Sequence, residues 1–122
     1  MTYVLTIPRI PPSLNDFIRM GRPQQERERR AFERDVAALL CEKNNKCPQP
    51  LQTPVHLRAV VMRPGISRSD SDNQVLVYKW LQDVLVLKGF LPDDTPEYVT
   101  HQGARVMRGE KPLTIVTIEE AA

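Results

Sequence analysis

The sequence predicts a single small α/β domain of the α+β kind. In it, a mixed or antiparallel sheet is covered by two main helices, in the order β-α-β-α-β-β. Three observations predict this. Apolar residues alternate with period two near the start, in the middle and near the end of the chain, the pattern of half-buried strands. Between these stretches, two segments carry apolar residues at three- and four-residue spacing, the pattern of amphipathic helices. Finally, 122 residues allow one domain, spanning 1–122, with one ordinary hydrophobic core.

The elements follow in order. Thr2 to Ile7 places Tyr3, Leu5 and Ile7 on one side, and Pro8, Pro11 and Pro12 end the strand. From Gln24 to about Lys46, Phe32, Val36, Leu39 and Leu40 form an apolar stripe, flanked by Arg22, Arg27, Arg29, Arg30 and Arg34 and interleaved with Glu26, Glu28 and Glu33. Such a flank is either a solvated face or a phosphate-contacting one. Three prolines between Cys47 and Pro54 make a rigid connection. Val55 to Met62 alternates as a strand, and Arg63 to Ser69 reads as a loop. A second helix runs from Asn73 to Lys88, where Gly89 can adopt the left-handed cap conformation. Glu97 to Met107 and Leu113 to Ile118 read as two strands of a hairpin, turned at Arg108 to Pro112.

Composition narrows the function classes. At 41% apolar and 26% charged residues, wholesale disorder is excluded, and no apolar run approaches the roughly 20 residues that span a membrane. The start of the chain lacks the basic, apolar and small-residue regions of a signal peptide, so a cytoplasmic location is expected. Cys41 and Cys47 have no second pair and no adjacent histidine, which argues for reduced thiols. The net charge of +2 conceals a division: residues 1–69 carry twelve Lys and Arg against six Asp and Glu, whereas residues 70–122 carry five against nine. A basic half suits a polyanion and an acidic half suits a cation.

The chemistry-bearing stretch is Asp70-x-Asp72-Asn73, between a strand and a helix. In extended chain, residues two apart project to the same side, and hard cations such as Mg²⁺ commonly take one or two carboxylates, completing their shell with water and substrate phosphate. Asp72 or Asn73 alone would also serve as a helix N-cap. Asp93-Asp94, between Pro92 and Pro96, is equally ordinary turn chemistry. It joins the first pair only if the chain folds back toward the start of the second helix. His56 and His101 read as surface or packing residues, Trp80 as core or interface, and Phe17 as a core contact or a wedge for an opened junction.

Four features appear in order over most of the chain: Pro11-Pro12-Ser13-x-Asn15, Arg68-x-Asp70-x-Asp72-Asn73, a lysine in the following helix, and Gly89-Phe90-x-x-Asp93-Asp94. Together they resemble the RusA family of Holliday junction resolvases. The resemblance implies a Mg²⁺-dependent, homodimeric endodeoxyribonuclease that resolves four-way junctions by paired nicks in DNA recombination and repair, in a family often carried by phages and prophages. It implies Asp70, Asp72 and Asp94 as metal ligands and catalytic residues, with Lys79 as the helix lysine. Phosphate contacts are expected from Arg68, Asn73, Asn15, Arg19, Arg22 and Arg63, with Arg9, Arg105 and Arg108 as further candidates. One departure stands out: Asn73 to Lys79 is six residues where the family has three, and Leu76 occupies the shorter spacing. A non-catalytic DNA-binding protein with a decayed site is the alternative. A hydrolase of small phosphate esters is a weaker one, because the chain offers no Gly-rich phosphate cradle.

Overall fold

A computed structural model describes residues 1–41, 47–64 and 74–121. Its elements are β1 (Thr2–Ile7), α1 (Leu14–Arg19), α2 (Arg22–Cys41), β2 (Val55–Arg63), α3 (Val75–Leu87), β3 (Val99–His101), β4 (Arg105–Arg108) and β5 (Leu113–Glu119). The α+β class holds: a five-stranded mixed sheet packs against helices on one side. No helix of the described residues is long and apolar enough to cross a membrane.

The sheet runs β1-β5-β2-β3, with β4 also on β2. β5 is antiparallel to both β1 and β2, while β3 and β4 run parallel to β2. Two expectations are corrected here. The stretch Glu97 to Met107 is not one strand: β3 takes Val55–Leu57 and β4 takes Val60–Arg63 as partners. The segment after β4 is also no hairpin, because β5 lies on the other side of β2. The turn instead crosses the end of β2, where the Gly109 N–H donates to the Arg63 carbonyl at 2.9 Å. A further element, α1, was absent from the expected order; six residues are too few to display a helical period. Its start is marked all the same by Ser13, whose hydroxyl accepts from the Asp16 N–H at 3.2 Å.

Alternation decides which face is buried. Leu57, Ala59 and Val61 of β2 face the helices with Val116 and Ile118 of β5 and Leu5 and Ile7 of β1. Against them lie Phe32 and Val36 of α2 and Val77, Leu81, Val84 and Leu85 of α3. Trp80 belongs to this core, with Phe17 edge-on at 5.6 Å and Phe32 tilted at 5.8 Å, so Phe17 is a packing residue in the structure.

The break between β3 and β4 leaves Arg58 and Ala59 without a strand neighbour on that side. A buried N–H without an acceptor would be costly. The Tyr78 hydroxyl, from α3, accepts from the Ala59 N–H at 2.9 Å. Tyr78 also stacks on His101, ring centres 4.3 Å apart, which pins α3 over the break.

The C-terminus of α3 ends as expected. Gly89 has φ +83°, the Gly89 N–H donates to the Val86 carbonyl at 3.1 Å and the Phe90 N–H to the Leu85 carbonyl at 2.8 Å. These are the two bonds of a Schellman motif, and buried Phe90 supplies its apolar contact. Cys41 and Cys47 are free thiols, and burial pushes the Cys47 thiol up to about 11, so it stays protonated near neutrality.

Candidate functional site

Arg68, Asp70, Asp72 and Asn73 lie outside the described residues. Their flanks are described: Pro64 follows the last residue of β2, and Gln74 precedes α3. In the chain the acidic motif thus falls between Pro64, after the C-terminal end of β2, and Gln74, before α3.

That end of the sheet is basic. Arg63 and Arg108 are register partners on β2 and β4, and like charges on adjacent strands repel. Arg63 is half-buried, and its Nε has no acceptor among the described residues. Arg9 sits at the same end, because Ile7 pairs with Thr114 and the Thr114 hydroxyl donates to the Arg9 carbonyl at 2.8 Å. Its guanidinium is ion-paired with Asp35 of α2, so Arg9 is less available to a ligand than expected. Gln74 is fully buried, and neither its amide nitrogen nor its carbonyl oxygen has a partner among the described residues.

Asn15 and Arg19 are exposed on α1, which rests on α3 through Phe17 and Trp80. The side chain of Gln25 donates to the carbonyls of Phe17 at 2.9 Å and Met20 at 3.3 Å, fixing α1 to the first turn of α2. Arg22 is exposed at the start of α2. Elsewhere the basic flank of α2 is partly neutralised: Arg29 bonds Glu26 at 2.8 Å, holding that carboxyl below its usual range, and Arg30 approaches Glu26 at 3.4 Å. Lys79 is exposed on α3 and makes no ion pair among the described residues, not even with Asp83 one turn on. Leu76, where a shorter spacing would put a lysine, is buried in the core.

Asp94 is exposed, and its N–H donates to the Asp93 carboxylate at 2.8 Å. The chain does not fold back toward the start of α3 after Gly89. Leu51 N–H donates to the Phe90 carbonyl at 3.0 Å and Val55 N–H to the Tyr98 carbonyl at 2.9 Å, so the Asp93–Asp94 loop lies at the N-terminal end of β2. Arg63 and Pro64 lie at the other end, about 26 Å along a nine-residue strand. Asp94 and Arg63 therefore lie at opposite ends of β2, and the convergence of Asp94 with Asp70 and Asp72 falls outside the described residues. No group of three metal-capable side chains occurs among the described residues.

Charged side chains are distributed unevenly along β2. Asp93, Asp94 and Glu97 precede β3 beside Val55, while Glu119, the register partner of His56, is ion-paired with Arg58. Arg9, Arg63 and Arg108 lie toward the other end of β2. Sequence reasoning found the two charged groups but not their separation. No protein-family model matches the chain, and no curated protein is similar to it.

Proposed function

We propose that the chain is a Mg²⁺-dependent endonuclease that cuts four-way DNA junctions as a homodimer. The observation that carries this reading is the end of β2, where two facing arginines, Arg63 and Arg108, stand beside the exit toward Asp70-x-Asp72-Asn73. Their repulsion is relieved by an anion between them, and a phosphodiester is the anion that such a carboxylate motif acts upon. Asp70, Asp72 and Asp94 offer hard oxygen donors suited to Mg²⁺, which lowers the pKa of an attacking water and offsets phosphoryl charge. Arg63 and Arg108 hold the phosphate from the protein side. Lys79, exposed and without an ion pair, is free to meet the backbone of a bound arm.

The charge separation supports the dimer. Two copies related by a two-fold axis, with β2 directions opposed, would set Asp94 of each toward Arg63 and Arg108 of the other. Such a pairing would let Asp94 of one copy share a metal ion with Asp70 and Asp72 of the second. The same symmetry gives two sites for the two opposed strands of a junction.

The test is cleavage of a labelled synthetic junction beside a linear duplex, with Mg²⁺ or EDTA. Asp70→Asn, Asp72→Asn and Asp94→Asn should each abolish nicking while leaving junction binding intact. Mixing Asp70→Asn with Asp94→Asn should then restore single nicks, since one of the two shared sites in a mixed dimer is wild type. Nicking by Asp72→Asn under Mg²⁺ would refute the site, and a silent mixture of the two variants would refute the shared arrangement. Junction binding by wild type without nicking would favour the decayed, binding-only reading.

A further inference from the structure

The stripe of α3 that faces the sheet begins on a polar residue. Gln74, Val77, Tyr78, Leu81 and Leu85 recur at three- and four-residue spacing, and all are buried. Gln74 is fully buried whereas its neighbour Val75 is 44% exposed, the reverse of what their polarities favour. Gln74 stands at the N-cap of α3, yet its side chain makes no capping bond. Among the described residues, three buried side-chain atoms at this end of the fold lack a hydrogen-bond partner: Nε2 and Oε1 of Gln74 and Nε of Arg63. Buried polar atoms left in this way cost stability unless something bonds them.

We propose that Gln74 and Arg63 act as one unit in holding a phosphate of the DNA backbone. The inference rests on the nuclease reading above and adds a residue to its phosphate site. Position carries the first step. Val55, Leu57, Ala59 and Val61 of β2 face the helices, so alternation puts Arg63 on that face too, with Arg108 beside it. α3 runs back over β2: its end is tied near the start of β2 by the Leu51 N–H on the Phe90 carbonyl, and the Tyr78 hydroxyl meets the Ala59 N–H midway. Gln74 lies one turn before Tyr78, about 6 Å nearer the Arg63 end, and Arg63 lies about 13 Å beyond Ala59. The offset that remains, about 7 Å, is one that two long side chains span. Complementarity carries the second step. Oε1 of Gln74 is an acceptor and Nε of Arg63 a donor. When Oε1 accepts from the Arg63 Nε–H, both terminal nitrogens of the guanidinium are turned to the phosphate, the bidentate arrangement that arginine favours. Nε2 of Gln74 then donates to the same phosphate. One anion thus satisfies all three unpartnered atoms and relieves the repulsion between Arg63 and Arg108. A glutamate at position 74 would set a charge against the phosphate, and a leucine would leave the Arg63 Nε–H unbonded.

The experiment reads stability and anion binding separately. Wild type, Gln74→Met, Arg63→Lys and the double variant are unfolded by urea in EDTA, and their thermal midpoints are compared in inorganic phosphate and in chloride of equal ionic strength. Anisotropy then gives the affinity of each for a labelled four-way junction in EDTA. Methionine has about the shape of glutamine without its polar atoms, so Gln74→Met should hold or raise the urea midpoint. It should also lose the extra thermal stability that phosphate confers, and should weaken junction binding about tenfold. Lysine has no N–H along its stem and no fork, so adding Gln74→Met to Arg63→Lys should cost less binding than it costs wild type. A lower urea midpoint in Gln74→Met overturns the proposal, since the carboxamide would then be bonded within the fold. Equal costs in the two backgrounds overturn it as well, as does a Gln74→Met protein that binds phosphate and junction like wild type. A wild type that phosphate stabilises no more than chloride overturns it outright. Failure of Mg²⁺-dependent nicking, with these results intact, sinks the nuclease reading alone, because every measurement here is made without metal.

Discussion

At the scale of single residues, the lysine in α3 decides how far the family pattern carries. Leu76 is 5% exposed, and the residues around it on α3, Val77 and Trp80, are buried as well. A lysine there would have to lose a buried leucyl contact and desolvate an ammonium. Leu76→Lys should therefore destabilise the fold by about 3 kcal/mol or more, read as a lower urea midpoint, and should not raise nicking. Lys79→Ala, at an exposed position, should leave the midpoint unchanged and slow nicking. A Leu76→Lys protein as stable as wild type would show that the first turn of α3 is not committed to the core. The motif around Asp70 was legible from residue types alone. The burial of position 76 was legible too, from the period of Leu76, Trp80 and Val84, which places the displaced lysine on the outer face.

Elements were legible in proportion to their length. β1, β2 and β5, of six to nine residues, each show clean alternation, and α2 and α3 show the helical period. β3 and β4, of three and four residues, do not, and which strand each would choose as neighbour is a long-range matter that no local pattern encodes. Gly103, between them, was the available hint of a break. The cap of α3 was legible because it is local: Gly89 at φ +83° sits where a Cβ would meet the Gln49 amide nitrogen at 2.6 Å. The Gln49 side chain can swing aside, so the left-handed backbone dominates the cost. Gly89→Ala should destabilise by about 1–2 kcal/mol, measured by urea unfolding. No loss of stability would mean that the α3 terminus reorganises.

For the whole molecule, a second tie closes the sheet edge. The Tyr3 hydroxyl donates to Glu120 Oε1 at 2.8 Å, and the Gln52 N–H donates to Glu120 Oε2 at 2.7 Å, joining β1, the proline-rich connection and the residue after β5. Burial, then the bond to Glu120, pushes the Tyr3 phenol up from 10.0 to about 12. Above pH 10.0 the unfolded chain releases this proton while the folded one retains it. Stability should therefore fall as pH rises from 10 to about 12. Cys47, raised to about 11, adds to the same fall. Tyr3→Phe should flatten the upper part of the decline in thermal midpoint against pH; a decline of unchanged steepness would assign it elsewhere. The charge halves of the sequence also became a molecular property only in three dimensions. Parallel pairing of β3 with β2 carries Asp94 away from Arg63, a separation that one-dimensional order does not reveal.

The tyrosine that fills the break in the sheet has one more consequence. Ala59 is in a central strand, yet its amide proton is held by Tyr78 of α3 and not by a neighbouring strand. Its exchange with solvent deuterium is thus gated by the helix leaving the sheet, while amides two residues away on the same strand report the ladder itself. A single backbone position becomes a clock for undocking of α3, the element that follows Asp70-x-Asp72-Asn73 in the chain.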